Sequence, residues 1–259
     1  MRSASKGGVL SIKTFMAFGC THIPHHDKVN AAWIIEQIKE RQPDLIVHLG
    51  DLIECESVSN YPKVDVARLG EEYRQVGEFL EAVADASPKS RKVFMQGNHE
   101  ERITRPDFNS VTELLDYRKH IKNFRQWKHY DYILDPSHTF TLGQLTFAHG
   151  WAFTAGGASE RKEGIDISGQ TANGCYIHAH THRPLYEQMS LNTWKLPFWR
   201  CNVGCGIDFE WAKRGYAKKR NISQWHHALA YGWAETKRRH DGKRNWEIEL
   251  IKRKGAWED

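Results

Sequence analysis

Five short segments of the chain carry side chains suited to metal chemistry. They are Cys20-Thr21-His22, Gly50-Asp51, Gly97-Asn98-His99-Glu100, His149-Gly150 and His180-Thr181-His182. Together they offer a carboxylate, a carboxamide, a thiol and several imidazoles. That mixture of oxygen, nitrogen and sulfur donors suits transition ions such as Zn2+, Mn2+ and Fe. An Asp directly after a Gly can approach two ions at once, because glycine permits the tight turn. Two histidines one residue apart on an extended strand end would project both rings to the same side, since side chains alternate with period two. Taken singly, such histidines read as core or surface residues, and Asp51 and Asn98 also suit turns and helix N-caps. The metal reading comes from five blocks standing in order.

Each block follows a stretch that reads as a strand or opens a loop. Residues 11–19 read as a strand ending in Gly19. Residues 28–41 read as a helix with Ala31, Ile34, Ile35 and Ile38 on one face, stopped before Pro43. Residues 44–49 form a buried-type strand closed by Gly50-Asp51. Residues 71–86 are amphipathic, with Tyr73, Val76, Phe79, Leu80 and Val83 at helical spacing. Residues 92–96 form the next strand. The order β-α-β-α-β, with a motif after every strand, is that of an α/β fold that binds ligands outside the carboxyl ends of its strands. The second half reads richer in strands: 144–148, 175–179, 199–203, and a hairpin of 232–238 with 245–251 around Asp241-Gly242. These later strands are expected to form a second sheet of the same domain. Residues 1–10 read as a loose leader and 11–259 as one domain.

Composition narrows the class. With 259 residues, 40% hydrophobic and 27% charged, the chain is globular rather than disordered. It has no apolar run of bilayer length and no signal-type leader, which points to a cytoplasmic protein without a membrane partner. Five cysteines, Cys20, Cys55, Cys175, Cys201 and Cys205, form no CxxC pair, so reduced thiols are expected. A net charge of +5 suits an anionic partner such as a phosphate ester or nucleic acid.

The five blocks resemble the signature of the calcineurin-like metallophosphoesterase superfamily: DxH, GDxx, GNH[DE], a lone His before Gly, and GHxH. The resemblance runs from about residue 20 to 182 and implies two packed mixed β-sheets flanked by helices, a four-layer α/β (α+β) architecture. It implies two divalent ions, Mn, Zn or Fe. His22, Asp51 and His182 would hold the first, with Cys20 in the position of the family's aspartate. Asp51 would bridge to the second, completed by Asn98, His149 and His180. Two such ions clamp a phosphate and lower the pKa of a shared water to make the nucleophile. His99 would lie over the phosphate and protonate the leaving oxygen. Cys20 is one departure: a thiolate ligates Zn2+ or Fe well but Mn2+ or Mg2+ poorly, so the first position is zinc- or iron-selective, weakened or vacant, and Cys20 is either ligand or bystander. Ala179 in place of the Gly of GHxH is the other.

Around the blocks, Glu100 reads as a support for His99 or a helix cap. Asn98, Arg183 and His25 are candidate substrate contacts, with a solvated loop as the plainer reading of His25 and Arg183. Arg214, Lys218, Lys219 and Arg220 with Trp211, Tyr216 and Trp225 offer the basic and aromatic mixture that single-stranded nucleic acid needs, or else a solvated loop over core aromatics. The expected activity is phosphoester hydrolysis, a phosphodiesterase or nuclease ahead of a phosphomonoesterase. A degenerate binding module is the other class, and only Cys20 favours it.

Overall fold

The computed structural model describes residues 11–59, 67–104, 128–133, 139–150, 173–189, 197–215, 217, 222–237 and 243–255. The expected leader, the turn at Asp241-Gly242, and Tyr216, Lys218, Lys219 and Arg220 lie outside these. In chain order the elements are β1 (Ile12–Phe18), α1 (Lys28–Arg41), β2 (Leu45–His48), α2 (Leu69–Ala86), β3 (Arg91–Met95), α3 (Asn98–Thr104), β4 (Asp131–Ile133), β5 (Phe140–Leu142), β6 (Leu145–Phe147), β7 (Cys175–His178), β8 (Leu185–Met189), β9 (Phe198–Asn202), α4 (Phe209–Arg214), β10 (Ala228–Glu235) and β11 (Trp246–Lys252).

Two mixed sheets result. The six-stranded sheet runs β11-β10-β1-β2-β3-β4 and the five-stranded one β5-β6-β7-β9-β8. Strands β1 to β4 are mutually parallel, with β10 antiparallel to β1 and to β11. In the other sheet β6, β7 and β9 are parallel, and β5 and β8 run against them.

Strand alternation sorts the core into two layers. Phe15 and Ala17 of β1, Val47 of β2 and Val93 of β3 pack against Phe147, Ile177 and Cys201 of the second sheet. Phe15 and Phe147 meet edge-on across this interface, 5.4 Å between ring centres. Met16, Phe18, Ile46 and Phe94 face the other way, onto Ile34 and Ile38 of α1 and Val76, Leu80 and Val83 of α2. Helix α1 is capped by Asp27, which accepts the N–H of Asn30 at 2.6 Å. It ends at Gln42 in the left-handed region, immediately before Pro43.

One expectation is corrected. Strands β10 and β11 join the first sheet beside β1, not the second. Their pairing with each other is local and legible, but which sheet edge receives the hairpin depends on the free edge of β1, some 220 residues away in sequence. Strand β4 also completes the first sheet. Among the described residues no helix is long and apolar enough to cross a membrane.

Candidate metal centre

All five blocks lie just past the carboxyl ends of strands: β1, β2, β3, β6 and β7. The loops interlock by backbone bonds. Cys20 donates its N–H to Gly50 O at 2.9 Å, and His22 to Asp51 O at 2.9 Å. Ala179 donates to His149 O at 3.2 Å, which ties the last two blocks together. Five of the seven expected ligands adopt left-handed backbone: Cys20, His22, Asp51, His180 and His182, with φ between 51° and 65°. Each costs a non-glycine residue roughly 1–3 kcal/mol and persists only where the surroundings over-determine it. This is why the two histidines after β7 do not follow strand alternation. The strand ends at His178, and the left-handed turns send His180 toward His149 (ring centres 5.2 Å apart) and His182 toward His22 (5.1 Å). The expectation that both rings project to one side of an extended strand is corrected: they serve two different clusters.

In the first cluster, Nδ1–H of His22 donates to Glu54 Oε2 at 2.8 Å, since a carboxylate only accepts. The lone pair on its Nε2 then faces Nε2 of His182 at 3.2 Å. Two nitrogens bound to one tetrahedral zinc, each bond about 2.0–2.1 Å, stand about 3.3 Å apart. The donor atoms of Cys20, His22 and His182 all lie within 4.8 Å of one another. Nδ1 of His182 and Nδ1 of His180 are buried without a hydrogen-bond partner among the described residues.

In the second cluster, Nδ1–H of His149 donates to Leu49 O at 2.6 Å. Its Nε2 points at Asn98 Oδ1 (3.0 Å) and Asp51 Oδ2 (3.2 Å). With the ring neutral, three acceptor atoms converge with no proton among them. Burial opposes charging His149, but the Asp51 carboxylate outweighs it and lifts its pKa. Burial likewise pushes Asp51 up, yet the imidazoles of His149, His99 and His22 hold it well below the usual carboxylate range. A cation at the point of convergence would take the place of a proton on His149 Nε2, so the residues present fit a divalent ion.

His99 stands beside both clusters. Its backbone N–H donates to Asp51 Oδ1 at 3.0 Å, and its ring packs edge-on to His22 at 4.6 Å. Nδ1 lies 3.1 Å from Glu54 O and 3.2 Å from Glu54 Oε2. Arg102 donates from Nη2 to Nε2 at 3.1 Å and from Nη1 to Glu54 O at 2.7 Å. Burial works against the imidazolium, but Glu54 and Asp51 raise its pKa overall. Sequence reasoning singled out neither Glu54 nor Arg102. Their spacing was the available signal, three residues after Asp51 and one helical turn after His99 respectively. Helix α3, which carries Arg102, answers to the sequence reading only as the helix that Asn98 or Glu100 could cap.

Among the described residues Glu100 makes no hydrogen bond through its carboxylate to the His99 ring. Its carboxylate accepts the N–H groups of Asp51 (3.0 Å), Leu52 (2.6 Å), Ile53 (3.1 Å) and Gly97 (2.7 Å), and so locks two of the blocks together. Cys20 is fully buried and its Sγ accepts the N–H of His180 at 3.1 Å. Ala179 keeps ordinary negative φ, so its methyl replaces a glycine without strain. His25 is held by Glu56 (Nε2 to Oε2, 3.0 Å) and stacks on Trp211 with 3.9 Å between ring centres. Arg183 is exposed, directly after His182. Trp211 and Trp225 are buried in the core, and Trp225 packs edge-on against His182 at 4.3 Å.

No curated protein matches the sequence significantly. Among solved structures the chain is similar to Yfce, a phosphoesterase from E. coli, with 16% identity, a TM-score of 0.42, and 85% of this chain and 87% of that chain covered. It is similar to a dimetal phosphatase from Danio rerio, with 9% identity, a TM-score of 0.42, and coverage of 92% and 98%. It is also similar to Vps29 from Entamoeba histolytica complexed with zinc, with 11% identity, a TM-score of 0.40, and coverage of 92% and 98%. The profile of the calcineurin-like phosphoesterases matches residues 13–210, a span that takes in all five donor blocks, and the chain belongs to that family.

Proposed function

We propose that the protein is a metal-dependent phosphoesterase that hydrolyses phosphoester bonds at the two clusters around Asp51. The observation that carries this reading is the convergence of His149 Nε2, Asn98 Oδ1 and Asp51 Oδ2, three atoms able to share one cation. His22, His182 and Cys20 would hold one ion, Asn98, His149 and His180 the other, and Asp51 would bridge. When bound, such a pair supplies Lewis-acid stabilisation of phosphoryl oxygens and an activated water.

The chain's own residues do the rest. Glu54 fixes the tautomer of His22, so that Nε2 keeps its lone pair for the ion. Glu100 holds the Asp51 loop rigid. His99, kept basic by Glu54 and Asp51, carries the proton for the leaving oxygen on Nε2. That proton and the Arg102 guanidinium cannot both point at Nε2, so Arg102 gives up that contact when the ring is charged. Freed, it keeps its bond to the Glu54 carbonyl. Asn98 is partly exposed and Arg183 exposed, and both would meet phosphate oxygens. A diester of the nucleic-acid kind is put ahead of a monoester, because a polyanion suits the +5 net charge and the basic residues after Trp211.

Hydrolysis of an aryl phosphodiester and the matching monoester, after chelator dialysis and return of Mn2+, Zn2+ or Fe2+, tests this. Metal-dependent turnover is expected, with the diester faster. A correctly folded protein that binds no metal, or metal-loaded protein without turnover on either ester class, would overturn it.

A further inference from the structure

The thiol of Cys20 stands in two of the three donor groups found among the described residues, the third being His22, Asp51 and His99. Its Sγ lies with the donors of His22 and His182, and also with those of Asp51 and His149, each group within 4.8 Å. It shares the first of these with two imidazoles already facing each other at 3.2 Å, one of them on His182, whose Nδ1 is buried without a partner among the described residues. The N–H of His180 is aimed at the sulfur at 3.1 Å. A neutral thiol is a weak acceptor, whereas a metal-held thiolate gains from such a donor. Apart from that shared sulfur, the second cluster offers only oxygen and nitrogen.

We propose that Cys20 is a thiolate ligand, which makes the two metal positions chemically unequal. The first, with Cys20, His22, His182 and Asp51, is soft and selects Zn2+ or Fe2+. The second, with Asp51, Asn98, His149 and His180, is harder and accepts Mn2+. This rests on the metal pair proposed above. On binding, the S–H bond breaks and an S–metal bond forms. The proton goes to solvent, and the thiolate brings the same single negative charge that a carboxylate would. The pair is therefore built for two different ions, not for two of one kind.

The test loads chelator-stripped protein with Zn2+ and Mn2+ together, then measures metal content and X-ray absorption at the zinc edge. Zinc and manganese bound together are expected, with a sulfur scatterer at about 2.3 Å from zinc. Cobalt loading should give a sulfur-to-metal charge-transfer band that is lost in Cys20→Asp and Cys20→Ser. The band should persist in Cys205→Ser, a buried thiol of the same core cluster. Zinc bound with nitrogen and oxygen scatterers only overturns the inference and leaves the metal pair standing. Zinc excluding manganese from both positions overturns the inequality. Folded protein that binds neither ion overturns both this inference and the proposed function. The scattering result on the parent protein decides even if the variants fail to fold.

Discussion

Nδ1 of His99 lies 3.2 Å from Oε2 of Glu54, and the same oxygen is 2.8 Å from Nδ1 of His22. One carboxylate therefore orients a proposed metal ligand and the proposed proton donor together. Burial would push Glu54 up, but His99 and His22 hold it deprotonated. Replacing Glu54 by Gln should lower kcat by about 10- to 100-fold through the misoriented histidines. It should also shift the alkaline limb of the pH–rate profile to lower pH, because a charge that raises the pKa of His99 is gone. Arg102→Leu should shift that limb the other way, because the guanidinium lowers it. Identical alkaline limbs in all three proteins would sink this assignment.

His99→Ala should remove leaving-group protonation and little else. On an alkyl phosphoester the loss should be on the order of 100- to 10,000-fold. It should be much smaller on an aryl ester whose leaving group needs no proton. Metal content, measured on the same samples, should match the parent. A variant that loses metal, or loses equally on both esters, would show that His99 is a ligand or a structural residue.

Gly50 sits at φ +90°, and a Cβ there would come within 2.7 Å of Gly97 N and 2.8 Å of His149 Nδ1. Gly50→Ala should push apart the Asp51 and Asn98 loops. We expect a stability loss of about 1–3 kcal/mol in denaturant unfolding of the metal-free protein, with weaker metal binding besides. Gly255 has φ +81° but open space around it, so Gly255→Ala reports the backbone part alone. Equal losses in the two variants would mean that crowding at Gly50 is unimportant.

His48 lies beneath the site, between the rings of Phe18 (5.3 Å) and Phe94 (5.4 Å), with Nε2 2.9 Å from Thr21 Oγ1. Burial is the main cause that lowers its pKa from 6.5 to about 3. Below pH 6.5 the unfolded chain takes up a proton that the folded chain refuses, so the stability contribution is full above that pH and fades toward pH 3. The shift corresponds to an upper limit on the order of 5 kcal/mol. In metal-free protein, His48→Gln should flatten the loss of stability between about pH 6 and 4, followed by urea unfolding at several pH values. An unchanged slope would count against a neutral buried His48.

Local pattern was enough for α1, whose bounds match the Ile34–Ile38 periodicity and the Asp27 cap, and for strands β1, β2 and β3 before their glycine turns. Helix α3 was legible only as a possible cap at Asn98 or Glu100, because 7 residues are too few to show a helical period. Hairpin β10–β11 was legible as a hairpin and misplaced as to sheet, since strand pairing over long separations leaves no local mark.

By itself the sequence determined the donor set, its order, and its position after strand ends, because those depend on residue type and short-range spacing. It also determined that a thiol stands where a carboxylate is expected. Only the tertiary structure decided which donors share a cluster. The left-handed turns at His180 and His182 send neighbouring rings apart, and residues 160 positions distant, Cys20 and His180, come into hydrogen-bond contact. Glu54, Arg102 and Glu100 acquired their roles in the same way. A carboxylate or a guanidinium is one surface charge among many until folding buries it against a particular imidazole or a particular row of backbone N–H groups.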